Sequence, residues 1–127
     1  MQHDEKQRVI ERYLDAYNCF DVDGMLALLS PAVRFENVSG GQVSAATTGI
    51  DAFRELAGKG AAMFAERRQT AIAWTFNPAS VLVTIAWRGV LAVEVPDGPP
   101  AGTELKLQGE SEFEFAGGLI SRIVDRS

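Results

Sequence analysis

The stretch SVLVTIAWRGVLAVEV, residues 80–95, restricts the fold more than any other, because it is apolar at both alternating sets of positions. Val81, Val83, Ile85, Trp87, Leu91 and Val93 fall on one side of an extended chain, and Leu82, Ala86, Val90 and Ala92 on the other. Side chains of a strand point alternately to its two faces, so this pattern predicts a strand that needs cover on both. Helices elsewhere in the chain can cover one face. The other is covered either by a second copy of the sheet, giving a homodimer through its outer face, or by loops and chain termini.

A second strand, LKLQGESEFEF (105–115), alternates more cleanly. Leu105, Leu107, Gly109, Ser111, Phe113 and Phe115 form a dry face, and Lys106, Gln108, Glu110, Glu112 and Glu114 a wet one. Glycine and serine in the middle of a dry face are unusual, and they predict that this face lines a hollow rather than a filled core.

The first half of the chain has the helical period instead. Val9, Ile10, Tyr13, Leu14, Tyr17 and Phe20 make an apolar stripe between Asp4 and Phe20. Asp21 or Asp23 can cap a short second helix, DGMLALLS, which stops before Pro31. VRFEN (33–37) alternates as a strand, and SGGQVSAATTG (39–49) is small and polar enough to predict a flexible loop. A third helix is expected from Ile50 to Arg67, with Ile50, Phe53, Leu56 and Phe64 on its apolar side. TAIAWTFN (70–77) reads as a further strand, joined to 80–95 by a turn at Asn77-Pro78, and PDGPPAG (96–102) and AGG (116–118) as turns before the closing LISRIVDRS. Helices followed by a run of antiparallel strands predict an α+β protein, a curved sheet with helices on one face.

With 127 residues the chain is expected to be a single domain, 1–127, large enough to bury about two-thirds of its unfolded surface. Seventeen acidic residues against twelve basic ones, with no basic run, argue against a nucleic-acid partner. Cys19 is the single cysteine and cannot form an internal disulfide, and no apolar stretch approaches a membrane span, so a cytoplasmic location is expected. The single histidine, His3, lies near the start and no acidic ligand loop is present; no metal site is predicted. One histidine also leaves no Ser–His or Cys–His nucleophile system.

The order helix, capped short helix, strand ending in FEN, glycine-rich loop, helix and long strands resembles the nuclear transport factor 2-like superfamily. Its members include ketosteroid isomerases, SnoaL-like polyketide cyclases and limonene epoxide hydrolases. The phrases that carry the likeness are RYLDAYNCFDVDGMLALLSPAVRFEN (12–37) and GESEFEFAGGLISRI (109–123). The resemblance implies a cone: a curved antiparallel sheet with three helices packed on its concave face, a cystatin-like α-β(4) type roll. It also implies a cofactor-free site within the cone. The first-helix tyrosine of the ketosteroid isomerases matches Tyr13. Their aspartate general base falls on Asn37, and their oxyanion-binding aspartic acid on Ser111. An amide has no useful basicity near neutrality, so isomerisation by residue 37 is disfavoured. Asp125 resembles in position the late acid/base aspartate of SnoaL-like cyclases; alternatively it is a solvated or ion-paired terminal residue.

Tyr13, Asp125 and Ser111 are therefore the candidate catalytic residues, with Tyr13 and Ser111 as hydrogen-bond donors to one ligand oxygen. Tyr17, Phe35, Asn37, Phe53, Trp74, Trp87 and Phe113 are candidates for binding a small hydrophobic molecule, the aromatics being core residues otherwise. Arg88 either anchors an acidic ligand or lies on the surface. Three functions follow: a cofactor-independent isomerase, cyclase or dehydratase acting on a ketone or polyketide-like molecule; a non-catalytic binder of such a molecule; or a dimeric scaffold of the same fold.

Overall fold

A computed structural model describes all residues, Met1–Ser127. In chain order the elements are α1 (His3–Asn18), α2 (Val22–Leu26), β1 (Leu29–Ser39), β2 (Gln42–Thr48), α3 (Ile50–Met63), β3 (Phe64–Phe76), β4 (Val81–Leu91), β5 (Glu104–Ala116) and β6 (Leu119–Arg126). The six strands form one curved sheet in the order β2-β1-β6-β5-β4-β3. All neighbours are antiparallel except β1 and β6, which run parallel. The fold is α+β, with the helices on the concave side and the sheet open rather than closed into a barrel. No helix is long and apolar enough to cross a membrane.

The helical stripe does what its spacing predicts. Ile10, Tyr13 and Leu14 of α1 are buried against Phe53 of α3 and against Val81, Val83, Ile85, Phe113, Ile120 and Ile123 of the sheet. Helix α1 ends in a Schellman motif: Asp21 N–H donates to the Ala16 carbonyl (2.9 Å) and Phe20 N–H to the Tyr17 carbonyl (3.1 Å). The left-handed position, usually glycine, is Phe20 with φ of 60°. Asp21 then caps α2, accepting from Gly24 N–H at 2.9 Å.

Four expectations need correction. Residues 39–49 are not a loop: Gly40 and Gly41, with φ of 58° and 80°, turn the chain into a hairpin whose second arm is β2. Its small residues suit an edge strand, and Ser44 is an extra residue at a bulge opposite Asn37 and Val38. The third helix stops at Met63, and Phe64 to Arg67 already belong to β3. Strand β4 ends at Leu91, which leaves Val93 exposed. On LISRIVDRS strict alternation is expected to set Leu119, Ser121, Ile123 and Asp125 on the face opposite Ile120, Arg122, Val124 and Arg126; it fails at Ser121, where a second bulge turns both Ile120 and Ile123 into the core.

The convex face carries cross-strand ion pairs: Arg122 with Glu114 (2.6 Å), and Arg126 with Glu112 (2.8 Å) and Glu110 (3.4 Å). They line the wet face read from 105–115. Leu82, Ala86 and Val90 lie half-buried on this side within a single chain.

Gly109 is small for a reason beyond the expected one. A Cβ there would collide with the Arg126 carbonyl oxygen, so the glycine, which lines the cavity, also allows β6 to approach β5. Gly58, on the exposed side of α3, has open space where a Cβ would stand. Gly109→Ala is expected to lower stability by about 1–3 kcal/mol, and Gly58→Ala to raise it by up to about 1 kcal/mol, both read by denaturant unfolding. An unchanged Gly109→Ala would show that β6 is not held by that approach.

Candidate functional site

Register brings the site together. Asp125 on β6 lies opposite Asn37 on β1 and Ser111 on β5, and Ser111 in turn lies opposite Val83 on β4. Directly paired residues of neighbouring strands share a face, so Asn37, Asp125 and Ser111 stand in one row on the concave side. Tyr13 and Tyr17, one helical turn apart on α1, face that row from across the cone. Between them is a cavity of about 510 Å³, lined by Tyr13, Tyr17, Asn37, Ser111 and Asp125 together with Phe35, Phe53, Ile85 and Trp87. That volume lies in the range usual for small-molecule sites, ~300–1,000 Å³. Met63 and Leu107, 40% and 47% exposed, mark its mouth.

Asp125 is half-buried as a residue, its accessible surface facing the cavity, while protein closes around its carboxyl group. Burial disfavours the charge and raises the pKa from 3.8 to about 6, against the opposing pull of a hydrogen bond from Ser111. That bond, Ser111 Oγ to Asp125 Oδ1, is 2.6 Å long. Ser111 is itself buried, and its only O–H donor is committed to Asp125. The expected donation from Ser111 to a ligand oxygen is thus replaced by a positioning role: Ser111 fixes the carboxyl.

The Tyr13 hydroxyl has no hydrogen-bond partner in the protein and lines the cavity, while its ring packs edge-on against Phe113 (5.9 Å). Burial raises its pKa well above the ordinary tyrosine value, and the Asp125 carboxylate adds to the rise while Arg67 opposes it, so the group is a neutral donor. The Tyr17 hydroxyl accepts from Trp87 Nε1 at 2.9 Å. Trp87 folds over Gly89, where a Cβ would meet the indole at 2.6 Å. Asn37 Nδ2 donates to the bulged Ser44 hydroxyl at 2.7 Å, which leaves Asn37 Oδ1 as the cavity-side acceptor.

Three of the sequence candidates lie elsewhere. Phe113, 1% exposed, is core that supports the Tyr13 ring. Trp74 stacks on Phe76, which stacks on His3, away from the cavity. Arg88 is on the other face, paired with Glu104 at 2.8 Å. Nowhere do three or more His, Cys, Asp or Glu side chains gather as a metal-binding group.

Arg67 is the charged cavity residue that the sequence reading missed. It is 6% exposed, lines the cavity, and donates from Nε to the Tyr17 carbonyl at 2.9 Å. Placing residues 64–67 in a helix hid it; the alternation Arg67, Gln69, Ala71 within β3 is the signal that reveals it.

The model of the SnoaL-like domain family matches residues 10–123. None of the curated proteins matches the sequence. Among solved structures, the chain is similar to a candidate polyketide cyclase of Xanthomonas campestris pv. campestris, at 23% identity over 98% of this chain and 90% of that one, with a TM-score of 0.84. It is similar to a second candidate polyketide cyclase, from a Silicibacter species, at 26% identity over 94% and 85% of the two chains, TM-score 0.78. A third, a candidate SnoaL-like polyketide cyclase of a Jannaschia species, is 16% identical over 95% and 83%, TM-score 0.80.

The raised pKa makes a signed prediction. Because the folded protein holds the Asp125 proton more tightly than the unfolded chain, this group's contribution is fully present below about pH 4 and is lost as pH rises through about 6. Asp125→Asn keeps an acceptor for Ser111 but removes the charge. The variant's melting temperature relative to the parent should climb from pH 4 to pH 7, a gain of order 2 kcal/mol. A difference that stays flat across that range would contradict the buried carboxyl.

Proposed function

The chain belongs to the SnoaL-like domain family, and we propose that it is a cofactor-independent acid–base enzyme acting on a compact, apolar ketone or polyketide-like molecule. The observation that carries this reading is the Asp125 carboxyl, held by Ser111 in the wall of an apolar cavity and titrating near 6. A base poised close to neutrality can both take a proton and return it.

The Asp125 carboxylate removes the proton from a carbon next to a carbonyl. The C–H electron pair becomes the C=C bond of an enolate, whose charge collects on oxygen. The Tyr13 hydroxyl donates to that oxygen; having no partner in the protein, it gives up no bond in doing so. Return of the proton to a different carbon gives an isomer. In a cyclase, the enolate carbon attacks a second carbonyl of the same molecule, and the resulting alkoxide takes the proton held by Asp125. Asn37 Oδ1 accepts from a ligand hydroxyl and orients it. Aromatic walls from Phe35, Phe53 and Trp87 hold the apolar body and exclude water.

The amide at 37 favours a second reading, a binder that performs no chemistry, and one assay separates the two. In D₂O, the protein is expected to speed exchange of the α-hydrogens of 2-tetralone, followed by NMR. Asp125→Asn should reduce the rate by about 10²-fold or more, and Tyr13→Phe by ~10-fold, with both variants folded by circular dichroism. Binding of 2-tetralone without catalysed exchange would establish the binder, and exchange undiminished in Asp125→Asn would remove that carboxyl from the reaction.

A further inference from the structure

Arg67 is a buried cation without an anion. Although the chain has seventeen acidic residues, no carboxylate lies within 4.0 Å of its guanidinium. Its plane lies over the Tyr17 ring (3.8 Å) and the Phe20 ring (4.6 Å). Nε is satisfied by the Tyr17 carbonyl, whereas Nη2 is buried with no hydrogen-bond partner. A purely structural role would be served by Nε and the stacking alone, and leaving a charged donor unmatched in an interior is costly. The surroundings are built for this group. Phe20 adopts a left-handed backbone and places its ring against the guanidinium, and the carbonyl that Nε reaches lies in the last turn of α1, where it also accepts from Phe20 N–H.

We propose that the cavity's ligand carries an anionic oxygen, a carboxylate or an ionised enol of a 1,3-dicarbonyl, which pairs with Arg67 at the Tyr17 end. The ligand is then an amphipathic anion: its charge sits on the guanidinium, its apolar body lies along Trp87, and its neutral reacting end is turned toward Tyr13 and Asp125. A planar, two-donor guanidinium favours such flat oxygen pairs over a lone hydroxyl. This orientation keeps the ligand's charge away from the Asp125 carboxylate. The inference shares its cavity with the proposed acid–base function and deepens it, but the binding it predicts does not require turnover.

Quenching of tryptophan fluorescence measures affinity at pH 7.5 for three probes: 2-naphthoate, the anion of 2-phenyl-1,3-indandione, and neutral 2-acetylnaphthalene. At least one anion is expected to bind tenfold or more tightly than the neutral ketone, and which one does so tells carboxylate from enolate. Arg67→Met should bring that anion down to the affinity of the ketone and leave the ketone unchanged, while Arg67→Lys should keep part of the preference. Equal affinities in the parent protein, or failure of both anions to bind at millimolar concentration, would overturn the proposal without recourse to any variant. Asp125→Asn should retain the anion preference, and absence of tetralone exchange in the parent protein with the preference intact would overturn only the proton chemistry.

Discussion

The pairing of β5 with β6 is the constraint on which the rest of the site depends. It sets Ser111 opposite Asp125, and the parallel pairing of β6 with β1 then sets Asn37 on the other side of the same carboxyl. A slip of one residue would turn that row to the convex face, where glutamates and arginines are already paired. Gly109 secures the register by letting the Arg126 backbone approach one residue beyond Asp125. The bulge at Ser121 lets one short strand do two jobs: it keeps Ile120 and Ile123 in the packed end of the cone and Asp125 in the hollow end. A strand of strict alternation would have had to give up one of these.

The cone is divided along its length by what fills it. At the closed end, Ile10, Val81, Val83, Phe113 and Ile120 are fully or nearly fully buried and supply the hydrophobic stabilisation. Toward the mouth the cavity gathers groups that weaken the fold when dry: a carboxyl with a raised pKa on β6, a phenol without a partner on α1, and a guanidinium with an orphaned nitrogen on β3. Concentrating these costs around one cavity, where a ligand would offset them, is what separates a binding site from a poorly packed core. The Phe20 backbone belongs to the same pattern, since an unfavourable φ persists where the surrounding structure holds it.

Much of the architecture was legible because it rests on periodicity. The 3.6-residue stripe of α1 and the two-residue alternation of β4 and β5 are imposed by burial, and burial leaves its mark on residue type. The row of Asn37, Ser111 and Asp125 came from resemblance, since no local pattern relates three strands far apart in sequence. What escaped was set by backbone geometry. The hairpin at 39–49 is made of small residues that lack a strand's usual bulk, so only its Gly-Gly turn marks it. Gly109 read only as space on the cavity face, because sequence shows that a side chain is missing but not that the Arg126 backbone also excludes it. Arg67 was lost to a helix boundary placed four residues too late, at a point where the apolar Phe64 fits either period.

The claim that bears the most weight is that Asp125 is a desolvated carboxyl in a cavity wall. A ¹³C NMR titration of its side-chain carboxyl, assigned by comparison with Asp125→Asn, measures this directly. The account predicts a midpoint near 6, moving higher still in Ser111→Ala as the stabilising hydrogen bond is lost. A midpoint near the ordinary aspartate value of about 3.9, indifferent to Ser111, would contradict it.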